Sequence, residues 1–311
     1  MAVRVVATLR IADHIVRGLR TAPELAEASN ADADALDRVL RHLAKAGLFN
    51  RDESGRYSLT DRGDELRDDR TRAMLDIESA IGRADLSFVQ LLHSVRTGKA
   101  AFPLQYRSDF WDDLSRDPGR TASYDTQMGF DVAADAADIV SVYDWGSLGH
   151  VVDVGGGNGA LLIALLTAHP GLRGTVFDQP VTAESARKDL KAAGLASRAD
   201  VVAGSFFDPL PPGAGGYVLS AILHDWDDDA ACAILRRCAE AAGPEAPILV
   251  VEKIGADGES LRTEMDLRML VYFGGKERGV AELAGLAARA GLRVARVHPA
   301  GKLAIVELRS I

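Results

Sequence analysis

The sequence predicts an α/β protein: a doubly wound, Rossmann-like parallel sheet closed by an antiparallel edge and preceded by a smaller, mainly helical domain. Three observations carry this. Short apolar runs alternate with helical stretches from residue 150 onward. The first of those runs opens into a glycine-rich turn. Residues 1–70 carry helix signals followed by a small β-ribbon. With 311 residues, 47% of them hydrophobic, the chain can bury two cores without disulfides.

In the first segment, "TAPELAEAS" begins a helix with Thr21 as cap and Pro23 just inside. "DADALDRVLRHLAKAGLF" puts Leu36, Val39, Leu40 and Leu43 on one helical face and stops at Gly47. "FNRDESGRYSLTDRGDEL" gives two short strands around Glu53, Ser54 and Gly55. Helix, turn, helix and ribbon is the winged-helix order, which invites a DNA-binding reading. The charges oppose it. Asp and Glu slightly outnumber Lys and Arg in residues 1–70, and the would-be recognition helix opens with Asp32, Asp34 and Asp37, where its amino end would meet phosphate. The overall formal charge of −9 points the same way, so no nucleic-acid partner is expected and the segment reads as an interaction or dimerisation module.

Residues 71–146 read as mostly helical. Their aromatics, Phe88, Phe102, Tyr106, Phe110, Trp111, Tyr124, Phe130 and Tyr143, are expected mainly in a core. Beyond them the strand candidates are "HVVDV" (150–154), "GTVFD" (174–178), "ADVVA" (199–203), "YVLSA" (217–221) and "PILVVE" (247–252), and "LRVARVHPAGKLAIVEL" closes the sheet as two strands turning near Pro299 to Gly301. Cys232 and Cys238 share a helical stretch and match neither a zinc nor a redox spacing, so no metal and no disulfide is expected. No apolar run reaches membrane-spanning length and the start alternates charge with apolar residues, so a soluble, cytoplasmic protein is expected.

The chemistry begins at "VVDVGGGNGALLIALL", a strand, glycine turn and helix that let the backbone approach a ligand closely. Gly155, Gly157 and Ala160 satisfy GxGxxG/A, and Asp178 ends the next strand where a carboxylate would grip ribose hydroxyls, so spacing alone admits NAD. Asp153 weighs against it. A carboxylate beside the glycines repels a pyrophosphate but attracts the ammonium and sulfonium charges of S-adenosylmethionine. The bland alternative makes Asp153 a buried acid capping the loop amides. Farther on, "LSAILHDWDDDAACAILRRC" sets His224 where the fourth apolar run meets a helix opened by Asp227 to Asp229. Asp225 is expected as a cap of that helix.

These stretches, with "TVFDQP", "VVAGSFFDPLP", "VVEKI", "MDLRMLVYFGGKER" and "ELAGLAARAGL", resemble the class I S-adenosylmethionine-dependent O-methyltransferases of the caffeic-acid, small-molecule type. The resemblance covers nearly the whole chain. It is strongest to the bacterial branch that methylates phenolic hydroxyls in aromatic polyketide and enediyne biosynthesis, naphthoate O-methyltransferases included. It implies residues 1–70 as a winged-helix-like dimerisation domain, 71–146 as a helical linker and substrate lid, 147–311 as the donor-binding catalytic domain, and a homodimer. It implies His224 as catalytic base flanked by Glu252 and Glu277. Donor binding would fall to Asp153, Gly155, Gly157, Asp178, Ser205, Phe206 and Ser220, although the family usually has an acid where Ser205 stands. Met128, Trp145, Asp266, Met269 and Phe273 would line the acceptor pocket. Related chains usually carry more helical residues ahead of Met1, so a shortened amino terminus is expected.

Methyl transfer to oxygen is an in-line displacement that needs alignment of donor and nucleophile and removal of one proton. A phenol titrates at roughly 10, and an ordinary imidazole at about 6.5 can assist its deprotonation at neutral pH. The rival readings are an NAD-dependent oxidoreductase and a family member that uses the donor site for hydroxylation or decarboxylation. A histidine kept at position 224 favours methyl transfer, because such a base has no use where no phenol is deprotonated.

Overall fold

The computed structural model describes every residue except Ala256, and every other side chain except those of Phe130 and Asp131, so the core aromatic expected at Phe130 lies outside the described residues. Two units form the chain, Met1–Leu86 with Asp117–Gln127, and Ser87–Arg116 with Met128–Ile311. In the first unit Thr21 starts the helix Ala22–Ser29 with a capping box, its hydroxyl accepting from the Glu24 amide while Glu24 accepts from the Thr21 amide at 2.8 Å. Asp32 caps the next helix, Ala33–Lys45, accepting from the Ala35 amide at 2.9 Å, so part of the acidic run expected there serves the helix end. That helix buries Leu36, Leu40 and Leu43 against Ile11, Leu25, Phe49 and Tyr57. Strands β1 (Phe49–Arg51) and β2 (Tyr57–Leu59) pair antiparallel beside it.

The second unit holds a sheet of seven strands: β3 (His150–Val154), β4 (Arg173–Asp178), β5 (Ala199–Ala203), β6 (Gly216–Ser220), β7 (Ile248–Glu252), β8 (Leu292–Ala300) and β9 (Leu303–Ser310). They lie in the order β5-β4-β3-β6-β7-β9-β8, with the first five parallel and β9 antiparallel to both its neighbours. Successive strand residues face opposite sides of a sheet. Accordingly Val152, Val154, Leu219 and Val250 enter one apolar layer, and Val151, Val218, Leu249 and Val251 the other. Burial on both faces is why these runs read as continuously apolar, without alternation. The chain leaves β3 for β4 on one side and returns to β6 on the other, which places the crevice used by ligands of such sheets at the carboxyl ends of β3 and β6.

Strands β4 and β6 each begin one residue earlier than expected, and two other strand ends differ for backbone reasons. Ala221, expected inside the fourth run, has φ +55°, so β6 stops at Ser220 and the chain turns there. Pro247 lies just before β7; its carbonyl accepts from the Tyr217 amide, but without an N–H it cannot donate to the ladder. Among the described residues no helix is long and apolar enough to cross a membrane.

The turn after β6 runs through a short 3₁₀ segment, Leu223–Asp225, into the helix Asp228–Ala242. Its cap is Asp227, which accepts from the Ala230 amide at 3.0 Å; Asp225 is buried and takes no part in capping. The expectation for Asp225 is thereby corrected, because the first helical turn begins two residues later than the acidic run suggested. Asp227→Ala should cost about 1 kcal/mol in urea unfolding, the usual worth of a cap; no loss of stability would show that the helix start is held by other means.

Candidate active site

Two loops at the carboxyl edge build the site. The first follows β3. Gly155 has φ +72°, and a Cβ there would lie 2.5 Å from Ile222 Cδ1, while a Cβ on Gly156 would lie 2.6 Å from the Asp153 carboxyl. Glycine is therefore required for the loop to pass both its own acid and the His224-bearing turn. Asp153 is 1% exposed, and neither carboxyl oxygen has a hydrogen-bond partner among the described residues. Burial, and then the neighbouring Asp178 carboxylate, push its pKa up to about 7. The capping alternative for Asp153 thus fails. Asp178 takes that part, accepting from the Gly157 amide at 2.8 Å and from the Gln179 amide at 2.6 Å. A buried acid with both oxygens unsatisfied is costly unless a ligand supplies donors. A cationic amine fits that need, and a pyrophosphate does not.

Phe206 stands beside the same loop, with Cε1 3.5 Å from the Cβ position of Gly155 and its ring edge-on to Phe207 and Trp226. The Ser205 hydroxyl accepts from the Phe207 amide at 3.3 Å, so it stabilises its own turn. Ser220 is half-buried at the end of β6.

The second loop carries His224. Its Nδ1 lies 3.1 Å from Glu252 Oε2 and 3.5 Å from Glu277 Oε1, and its Nε2 lies 3.5 Å from Asp225 Oδ1. Glu252 closes β7, the strand next to β6, and Glu277 sits in the loop after the helix Thr263–Phe273. The Glu277 amide donates to Asp266 Oδ1 at 2.9 Å, which gives Asp266 a loop-fixing contact. The acids are buried and the His224 side chain is 18% exposed, so the imidazole is the open face of the cluster. Burial alone would lower the His224 pKa, but the charges of Glu252, Asp225 and Glu277 outweigh it and hold it up at about 10. Burial in turn raises Asp225 to about 7, against the lowering effect of His224, and raises Glu277 as well. The ligand atoms of His224, Glu252 and Glu277 lie within 4.8 Å of one another, a spacing that admits an ion as well as a shared proton.

The expected acceptor-pocket residues divide. Met128 is half-buried on the helix Pro118–Ser141, and Met269 is buried on Thr263–Phe273. Phe273 stacks on Trp111 and lines an open cleft of about 520 Å³ with His93, Lys99, Leu104 and Asp227. Trp145 is a correction: it is 0% exposed in the layer with Leu161, Leu165 and Ile305, and its Nε1 donates to the Ile139 carbonyl at 3.0 Å. An indole so satisfied is core and cannot form a pocket wall. Sequence reasoning missed Asp225 as a member of the cluster and the left-handed Ala221, which gave no signal because alanine rarely takes that conformation.

Known proteins resemble the chain over its whole length. Residues 88–293 match a family model described as an O-methyltransferase domain, and residues 1–67 one described as an O-methyltransferase dimerisation domain. The chain is 58% identical to the 2,7-dihydroxy-5-methyl-1-naphthoate 7-O-methyltransferase of Streptomyces carzinostaticus, over 100% of this chain and 94% of that one. It is 39% identical to aclacinomycin 10-hydroxylase of Streptomyces purpurascens, over 97% of this chain and 83% of that one. An O-methyltransferase from neocarzinostatin biosynthesis, crystallised with S-adenosylmethionine and 2-hydroxy-5-methyl naphthoic acid, superposes with a TM-score of 0.95 at 57% identity, covering 100% of this chain and 95% of that one. The oxidoreductase reading of the glycine loop is not favoured by these relatives. The chain belongs to the O-methyltransferase family, and S-adenosylmethionine is its methyl donor.

Proposed function

We propose that this enzyme methylates a phenolic hydroxyl of a hydroxynaphthoic acid in the assembly of a secondary metabolite, with His224 as general base. The observation that carries the reading is the His224 imidazole held among buried acids beside the glycine loop. The naphthoate substrate of the 58% identical relative supports the acceptor class, and that relative's methylation favours methyl transfer over the hydroxylation of the 39% identical one. The dimerisation domain at residues 1–67 supports a homodimer. In this reading residues 1–70 serve dimerisation, 71–146 shape the acceptor pocket with Met128, and 147–311 hold the donor and the base.

When bound, S-adenosylmethionine supplies an electrophilic methyl group on a sulfonium. Asp153 would receive its amine, Asp178 its ribose hydroxyls and Phe206 its adenine, with Gly155, Gly157 and Ser220 as neighbouring walls. On the acceptor side Met269 and Phe273 pack against the ring, and Asp266 acts through the Glu277 loop that it holds. In its neutral form, which is populated as pH rises towards about 10, His224 directs Nδ1–H at Glu252 and leaves Nε2 for the phenolic proton. A conjugate acid at about 10 matches a phenol at roughly 10, so the proton moves between them with little free-energy cost. The carboxylates then stabilise the imidazolium that forms.

A panel of hydroxynaphthoates and simple phenols, read by mass spectrometry, tests the acceptor: single methylation of a hydroxynaphthoate is expected, and none across the panel contradicts the reading. On that acceptor His224→Gln should lower kcat by about 10²- to 10⁴-fold while S-adenosylhomocysteine still binds.

The pH dependence has a definite sign. The basic form of His224 appears as pH rises towards about 10, so kcat climbs on that limb. Glu252→Gln removes a charge that raises the imidazole, and its limb should move to lower pH. An unmoved limb in rate–pH profiles contradicts the arrangement.

Asp153 provides a separate check. An amine favours its ionised form, so affinity for S-adenosylhomocysteine should rise with pH through about 7 and then level off. Calorimetry of Asp153→Asn should show weaker binding without that rise; a wild-type profile in the mutant removes Asp153 from the donor site.

A further inference from the structure

Glu277 and its neighbour Arg278 stand in the loop that follows the helix Thr263–Phe273, and the two side chains do different work. Arg278 is 4% exposed and points at the turn that carries His224. Its Nη1 donates to the Leu223 carbonyl at 2.8 Å and to the Lys276 carbonyl at 3.2 Å. Its Nη2 donates to the Trp226 carbonyl at 2.8 Å and to Asp228 Oδ1 at 2.8 Å, and Nε reaches the same oxygen at 3.1 Å. Leu223 and Trp226 bracket His224 and Asp225. The guanidinium therefore grips the backbone on both sides of the reacting pair and, through Lys276, the backbone of the loop that bears Glu277.

Two backbone contacts complete the stitch. The Lys276 amide donates to the His224 carbonyl at 2.8 Å. A Cβ on Gly275 would lie 2.2 Å from that same carbonyl oxygen, so only glycine allows the approach. A buried guanidinium is costly unless its donors are satisfied. Here its planar fork meets three carbonyls and a carboxylate, an arrangement that the single ammonium of lysine cannot reproduce.

We propose that Arg278 is a positioning residue for methyl transfer: by clasping the Leu223 and Trp226 carbonyls together with its own loop, it sets the distance between the His224 imidazole and Glu252 and Glu277. The inference rests on the reading of His224 as base. The acids around the ring are Asp225 on its own turn, Glu252 at the end of β7 and Glu277 on the clasped loop; the charges of Arg262 and Asp266 act in turn on Glu277. Without the clasp the turn and the loop separate, the ring loses contact with the carboxylates, and its pKa falls. Asp153 and Asp178, at the ends of β3 and β4, make no contact with Arg278, so their part of the donor site keeps its hydrogen bonds.

The test is Arg278→Lys in the full-length enzyme, with Arg278→Ala as a second variant assayed with and without ethylguanidinium. The expected result for the lysine variant is a kcat lower by about 10²-fold, the effect of a displacement near 1 Å at a reacting group, with KM for the acceptor and affinity for S-adenosylhomocysteine near wild type. The rising limb of the rate–pH profile should shift to lower pH, and ethylguanidinium should restore part of the activity of the alanine variant. A folded lysine variant with unchanged kcat and unchanged limb overturns the proposal. So does a loss of activity that only parallels loss of melting temperature and cofactor affinity, which marks a purely structural residue. His224→Gln run alongside separates the two claims: full activity there defeats the base assignment itself, whereas an inactive glutamine variant beside an unaffected lysine variant defeats only the role of Arg278.

Discussion

The contact between His224 Nδ1 and Glu252 Oε2, 3.1 Å long and shielded from water on the acid side, is the interaction on which the rest of the site depends. One imidazole among Glu252, Glu277 and Asp225 is a charge arrangement that water would screen and that burial amplifies. Burial disfavours the anions of Asp225 and Glu277 and the cation of the imidazole. Together they stabilise one another, which is why His224 is pushed up and stays protonated well above the usual histidine range. The chemical consequence is an imidazole whose neutral form is a stronger base than an ordinary one but is populated only as pH rises towards about 10.

Holding that cluster is the task of the sheet. Glu252 and the His224 turn lie at the ends of adjacent parallel strands, so the ladder between β6 and β7, with Ser220 opposite Val251, fixes one side of the contact. The other side comes from the loop of Glu277, which belongs to no strand and is tied in through main-chain hydrogen bonds and Arg278. The donor loop is pressed against the same turn at Ile222, two positions before His224. Donor and base are thus brought together by one short segment between β6 and the helix Asp228–Ala242. Asp153 shows the complementary strategy: its oxygens are left without partners so that an incoming amine can satisfy them.

Much of this was legible in the sequence, and for identifiable reasons. Strands buried on both faces write themselves as continuous apolar runs, and three consecutive glycines between a strand and a helix exceed what packing alone requires, so "HVVDV" and "GGGNG" placed the donor edge directly. His224, Glu252 and Glu277 were found through resemblance, and the structure brings all three together. What was not legible depends on three-dimensional approach. Asp225 looked like one more acid in a capping run, although only Asp227 caps. Trp145 looked like a pocket aromatic, but its nitrogen meets the Ile139 carbonyl inside the core. The bonds of Arg278 to backbone carbonyls leave no trace in a sequence, because a carbonyl is present at every residue.

The central claim is that the acids around His224 set its protonation state, and nitrogen NMR of the histidine-labelled enzyme reads that state directly. With the resonance assigned by its loss in a position-224 variant, the account predicts an imidazole doubly protonated at neutral pH and titrating near 10. A titration near the ordinary value of about 6.5 would contradict it, and would mean that His224 does not feel the carboxylates beside it.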